Sequence, residues 1–246
     1  RVSVGSHMSC SVHRTGQVRC WGASNFLQST ATAMPPTVLP GVTEAVAVGL
    51  FLEHGCALLA TGEVACWGWN HHLQLGSAIP PGAVVPAPTL VPGIEAATQL
   101  AVQHHQNCVV TRGGHVRCWG GAYDAGLGDA DVWESATPVE VVGVDDAAEV
   151  AGSIGHTCVL RGSGKVQCWG SNHSGQLGDG TRKRRPEPVD VLGLEGNVVQ
   201  LAVGWNHSCA LLSNGTVWCW GDHGSGQLAP DVAGDLLQPI RISAID

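Results

Sequence analysis

His207-Ser208-Cys209-Ala210-Leu211-Leu212-Ser213-Asn214-Gly215-Thr216-Val217-Trp218-Cys219-Trp220-Gly221 decides the fold. The stretch reads as two short apolar strands folded back on each other around Ser213-Asn214-Gly215. Variants of it fill the chain. Cys-Trp-Gly begins at Cys20, Cys66, Cys118, Cys168 and Cys219, and ten residues before each of these stands Cys10, Cys56, Cys108, Cys158 or Cys209. The five pairs use all 10 cysteines, and successive first cysteines lie 46, 52, 50 and 51 residues apart. Self-similarity at a period near fifty marks a repeat architecture.

Each repeat opens on a small-residue strand such as Val46-Ala47-Val48-Gly49, Leu100-Ala101-Val102 or Leu201-Ala202-Val203-Gly204. The paired-cysteine hairpin follows, then a glycine-rich loop such as Gly175-Gln176-Leu177-Gly178-Asp179-Gly180. A proline-led β-branched stretch such as Pro188-Val189-Asp190-Val191 closes the unit. Four short strands per repeat with glycine punctuation describe a blade, and tandem blades a propeller. No stretch carries the 3.6-residue periodicity of a helical solenoid. The sequence therefore predicts an all-β propeller of four-stranded blades, one domain over residues 1–246. The residues after Cys209 and those up to Cys10 together make one more interval of the same length. Gln238-Pro239-Ile240-Arg241-Ile242 matches Thr137-Pro138-Val139-Glu140-Val141, and Arg1-Val2-Ser3-Val4-Gly5 matches the strand due next. This reading predicts a closed five-blade ring whose chain ends share a blade; a piece cut from a larger ring gives the same count. The absence of an initiator Met before Arg1 reads as a removed leader or an excised piece.

Midway between paired cysteines lie Arg14-Thr15-Gly16, Ala60-Thr61-Gly62, Arg112-Gly113-Gly114, Gly162-Ser163-Gly164 and Ser213-Asn214-Gly215. Glycine at the third place of each suits a type I turn closed by a left-handed residue. Centring the turn there sets the two cysteines opposite each other across the ladder, within disulfide reach. Buried free thiols and a zinc site are the alternatives, but the spacing lacks the Cys-x2-Cys habit of zinc ligands. Bridges Cys10–Cys20, Cys56–Cys66, Cys108–Cys118, Cys158–Cys168 and Cys209–Cys219 are expected, and with them a secreted or extracytoplasmic location.

Composition agrees. Apolar residues make up 44% and charged residues only 13% of the chain, the reverse of a disordered protein. No apolar run reaches the roughly 18 residues of a membrane span, so no membrane insertion is expected. A net charge of −8 disfavours nucleic acid as a partner.

The unit His207-Ser208-Cys209-Ala210-Leu211-Leu212 … Gly215-Thr216-Val217 … Trp220-Gly221 … Gly226-Gln227-Leu228 resembles the repeat of the regulator-of-chromosome-condensation family. The resemblance implies a β-propeller, usually of seven blades, that serves mostly as a protein-binding scaffold. Members include a nuclear guanine-nucleotide exchange factor, a plant ultraviolet photoreceptor and a bacterial inhibitor of β-lactamases. The doubled cysteines resemble repeats of secreted or surface proteins of bacteria. No interval leaves room for the exchange factor's inserted wedge. Only Gly204-Trp205-Asn206-His207-Ser208 approaches the photoreceptor's Gly-Trp-Arg-His-Thr motif, and it lacks the arginine.

Enzyme signatures such as Gly-x-Ser-x-Gly, the phosphate-binding glycine loop and His-Glu-x-x-His are missing, so no enzyme activity and no cofactor are expected. His54, His156 and His207 share one slot, two residues before a blade cysteine, and read as structural hydrogen-bonding groups. His71-His72 and His104-His105 are irregular, within reach of an ion in principle but read as surface residues. Asp124, Asp129 and Asp131 read as turn formers rather than calcium ligands, and no metal is expected. The predicted function is a non-enzymatic scaffold that recognises another protein through irregular loops, with a carbohydrate-binding or adhesive module as the second reading. Residues that break the repeat are the candidate contacts: Trp69, His71 and His72, then Tyr123 and Trp133, then Arg182, Arg184 and Arg185 of the basic run before Pro186.

Overall fold

The structure, a computed structural model, describes residues 1–23, 34–121, 126–228 and 234–242. It contains five antiparallel sheets of four strands, each built from consecutive strands. The first sheet holds β1 (Val2–Val4), β2 (Met8–Val12), β3 (Val18–Gly22) and β4 (Met34–Val38). The second holds β5 (Ala45–Leu50), β6 (His54–Leu59), β7 (Val64–Trp69) and β8 (Val84–Leu90). The third holds β9 (Ala97–Val102), β10 (Gln106–Thr111), β11 (Val116–Gly121) and β12 (Glu134–Glu140). The fourth holds β13 (Ala147–Gly152), β14 (His156–Arg161), β15 (Val166–Gly170) and β16 (Arg185–Asp190). The fifth holds β17 (Val198–Val203), β18 (His207–Leu212), β19 (Val217–Gly221) and β20 (Leu236–Arg241). No helix occurs among the described residues.

Two compact units divide the chain: one carries the first three sheets, the other the last two with turn 113–116 and connection 122–133. The expectation that the chain ends share a blade is not met. β1 pairs with β2 (Ser3 opposite Cys10) and β20 with β19 (Ile240 opposite Cys219), each inside its own sheet. The interval count is blind to where in the repeat the chain begins. Arg1-Val2-Ser3-Val4 is the small-residue strand of its own repeat, paired within the first sheet. A smaller correction concerns the basic run: Arg185 is not loop but the first residue of β16, opposite Gly170. Its neighbours Pro186 and Pro188 are tolerated there because β16 is an edge strand.

The turn reading holds. Gly62 sits at φ 88°, its N–H donating to the Leu59 carbonyl at 3.0 Å, while Leu59 N–H donates to Glu63 O at 2.9 Å. That register sets Cys56 opposite Cys66, Cys158 opposite Cys168 and Cys209 opposite Cys219. All five expected disulfides are formed.

Cys-Trp-Gly now has a physical account. Alternate residues of a strand face opposite sides of a sheet, so cysteine and tryptophan point to different neighbours. Within the first unit the Cys10–Cys20 bridge shares a core with Trp67 of the next sheet, and Cys56–Cys66 one with Trp119. Within the second, Cys158–Cys168 packs with Trp220. Trp67, Trp119, Trp169 and Trp220 are fully buried. The glycine admits a neighbouring loop: at Gly68 (φ 107°) a Cβ would lie 2.5 Å from the Glu53 carbonyl oxygen, which accepts from Trp69 N–H at 2.9 Å.

A hydrogen-bonded clasp joins the second sheet to the third and the fourth to the fifth. The Gln74 carbonyl, in the loop of the second sheet, accepts from Trp119 Nε1 at 3.0 Å and Asn107 Nδ2 at 2.8 Å in the third. The Gln176 carbonyl of the fourth accepts from Trp220 Nε1 at 2.8 Å and Ser208 Oγ at 3.1 Å in the fifth. Buried His54 reaches Asn107 Oδ1, and buried His156 reaches Ser208 Oγ, both at 2.8 Å. Two of the three slot histidines therefore do the structural work expected of them. His207 is half-buried and lies over Gly204, where a Cβ would come within 2.2 Å of its ring.

Candidate partner-binding site

Strands of a blade alternate in direction, so its connections fall at two ends. At one lie the cysteine hairpin turns. At the other lie two connections per blade: the one before the first cysteine and the one after Cys-Trp-Gly. Every described contact candidate falls in, or directly beside, that second connection of its own repeat. Trp69 ends β7, with His71 and His72 just after it; Trp133 precedes β12; Arg182 and Arg184 precede β16. Tyr123 and Asp124 lie outside the described residues.

In the first unit this end gathers rings. Trp69 and His71 lie 4.8 Å apart between centroids, His72 and His105 3.9 Å, His104 and His105 3.6 Å, and Phe51 and His104 5.7 Å. Burial pushes His105 down to about 3, helped by the neighbouring imidazoles of His104, His72 and His54. Burial also lowers His104, against the pull of Glu53 and with a push from His72. Both rings are therefore neutral at physiological pH. No group of three or more metal-binding side chains converges among the described residues. Beside the rings, an open cavity of about 260 Å³ is lined by Ser6, His7, Phe51, Leu52, Glu53 and Trp69, with Met8 and Ala23.

In the second unit Arg184 stacks on Trp133, its guanidinium carbon 3.7 Å from the ring centroid, a cation–π contact on a ring that stays 42% exposed. Arg182 donates to Asp235 Oδ2 at 2.8 Å and to the His173 carbonyl at 2.6 Å; its hydrogen bond holds the Asp235 carboxyl below the usual range. Arg185 donates to Asp179 Oδ2 at 2.9 Å. Burial alone would raise Asp179, but hydrogen bonds from Thr181, Arg185 and Asn172 outweigh it and lower its pKa. The basic run is thus largely engaged with its own chain. Asp129 Oδ1 accepts from Asp131 N–H at 3.0 Å, a turn contact.

One position escaped the sequence reading. Four residues before the first cysteine of each repeat stand Ser6, Leu52, His104, Ile154 and Trp205. Leu52 is 38% and Trp205 66% exposed, large apolar groups on the connections that precede β6 and β18. The repeat alignment contains the signal: this slot is free in residue type, whereas the slot two residues later is His, Gln or Met and buried in four of five repeats.

Comparison with known proteins places this geometry. The family model for the regulator of chromosome condensation (RCC1) repeat matches residues 45–74, 148–176 and 198–227, and a second model of the same description matches 163–211. Over these residues the chain is similar to the RCC1 repeat. No curated protein sequence matches the chain. Among solved structures, human WBSCR16 aligns at 22% identity with a TM-score of 0.83, covering 98% of this chain and 66% of that one. Prp20p from Saccharomyces cerevisiae, solved with its binding properties to Gsp1p and histones, aligns at 19% identity with a TM-score of 0.85, covering 100% and 63%. The ectodomain of the Physcomitrella patens receptor kinase CR4 aligns at 22% identity with a TM-score of 0.54, covering 89% and 52%. The chain spans less than two thirds of each of these proteins. At such identities the matches establish the fold: an RCC1-type β-propeller architecture of four-stranded blades.

Proposed function

We propose that the protein is a non-enzymatic scaffold, secreted or displayed outside the cytoplasm, that binds another protein through the blade end of the first unit that carries Trp69 and Leu52. The observation that supports the reading most is the segregation of variation. The disulfide cysteines and the Cys-Trp-Gly tryptophan and glycine recur in all five repeats and are mostly buried, while the slot holding Leu52, His104 and Trp205 changes in every repeat. Rigid repeats with variable loop residues on one side are the usual design of a recognition surface, and exposed aromatics are its usual anchors. Five disulfides fit an oxidising compartment. That Prp20p was studied for binding Gsp1p and histones fits a protein-binding role for the fold, and an ectodomain of similar fold fits the location.

The test is retention of proteins from the extracellular fraction of the producing organism. Wild type and a hairpin-end variant, Thr61→Glu, should retain the same protein; Leu52→Glu should lose it. A glycan array gives the competing result: defined glycans bound, with no protein retained, would replace this reading by the carbohydrate-binding one.

A further inference from the structure

The cavity of about 260 Å³ in the first unit combines aromatic walls with one carboxylate and no arginine or lysine among its described lining residues. Phe51, Leu52 and Glu53 come from the β5–β6 connection, Ser6 and His7 from the β1–β2 connection, and Trp69 from the end of β7. The loop is fixed rather than slack: Trp69 N–H donates to the Glu53 carbonyl at 2.9 Å and Phe51 N–H to the His54 carbonyl at 3.0 Å. Trp69 is braced from the side by His71.

Among the described residues the Glu53 carboxylate makes no hydrogen bond or ion pair. The base that feels its field is His104, whose pKa burial and His72 lower, so that ring brings no neutralising charge at neutral pH. The chain's net charge of −8 adds a field that attracts cations. An aromatic face beside an unneutralised carboxylate suits a side chain with an aliphatic stem and a cationic head. A neutral sugar would need several polar partners, and this lining offers few.

We infer that the cavity takes an arginine or lysine side chain of the partner protein, its cationic head at Glu53 and its stem against Trp69 and Phe51. The inference rests on the protein-binding reading and names the chemistry of one anchor.

The probe is a displayed library of random peptides selected on the whole protein. Selected peptides should share a basic residue at one position, and its replacement by norleucine should weaken binding about tenfold. Glu53→Gln should weaken the parent peptide by a similar factor and leave the norleucine peptide unaffected, since the two changes remove one contact. Trp69→Leu should also weaken binding; should it fail to fold, Glu53→Lys serves instead, and selection on it should switch to acidic peptides. Selected peptides without a basic residue, or indifferent to Glu53→Gln, would overturn the inference and leave the scaffold reading intact. Selection of no peptide, with glycans bound instead, would overturn both.

Discussion

Replacing Asn107 by alanine should destabilise the protein by roughly 3 kcal/mol, far more than an average polar substitution. The side chain is fully buried, accepts from His54 Nε2 at 2.8 Å and donates to the Gln74 carbonyl at 2.8 Å. Each lost bond costs about 1 kcal/mol net, and the His54 donor, itself fully buried, adds about 1 kcal/mol or more when left without an acceptor. The Gln74 carbonyl keeps its bond from Trp119 Nε1 and contributes no further penalty. For a chain of this length that amounts to a fall in melting temperature of about 6–12 °C. Asn107→Ser should recover part of it, because Ser208 serves the same two partners, His156 and the Gln176 carbonyl, in the fifth sheet. Differential scanning calorimetry on the oxidised protein reads the effect. A shift below about 2 °C for Asn107→Ala would show that the clasp does not hold the sheets together.

Acid should destabilise the fold before its carboxylates titrate. Burial, above all else, lowers His54 to about 4 and His156 to about 3, whereas the unfolded chain takes up those protons near 6.5. Stability should therefore be full above about pH 6.5 and fall toward pH 4, His54 alone contributing on the order of 3 kcal/mol; urea midpoints that stay flat over this window, or are equally steep in His54→Gln, would contradict it. Gly178→Ala should cost about 1–2 kcal/mol, since φ is 69° and a Cβ would lie 2.9 Å from Trp220 Nε1; an unchanged melting curve would refute the close approach. Cys56→Ser with Cys66→Ser should cost about 3 kcal/mol in the chain-entropy model, and peptide mapping of unreduced protein should find five intra-blade bridges and no thiol. Bridges between blades would sink the register.

What the sequence disclosed was whatever repeats. Strand order, hairpin turn and disulfide pairing follow from glycine and cysteine at fixed offsets, because backbone conformation and covalent reach are local properties. The phase of the blades did not follow: any starting point in a period gives the same interval count, and only the pairing of β1 with β2 decides it. Long-range partners were legible in part. That His54 and His156 are structural could be read from their shared slot, but that their partners are Asn107 and Ser208 depends on which sheets meet. Charge was legible only in part. Arg182, Arg184 and Arg185 read as a basic run, but that Asp235, Trp133 and Asp179 contact them did not; a linear sequence does not display which counter-charge folds back. The slot of Leu52 and Trp205 went unread because variation within a repeat is informative only once the invariant positions have a structural reason.

Photo-cross-linking from a benzoylphenylalanine at position 52, compared with one at position 61 at the opposite end of the same blade, tests the partner-binding claim most directly. Both positions are exposed. With extracellular proteins of the producing organism, position 52 should yield a discrete protein adduct that excess unlabelled protein competes away, and position 61 none. Adducts at 61 but not at 52, or at neither, would contradict recognition through this end of the blades.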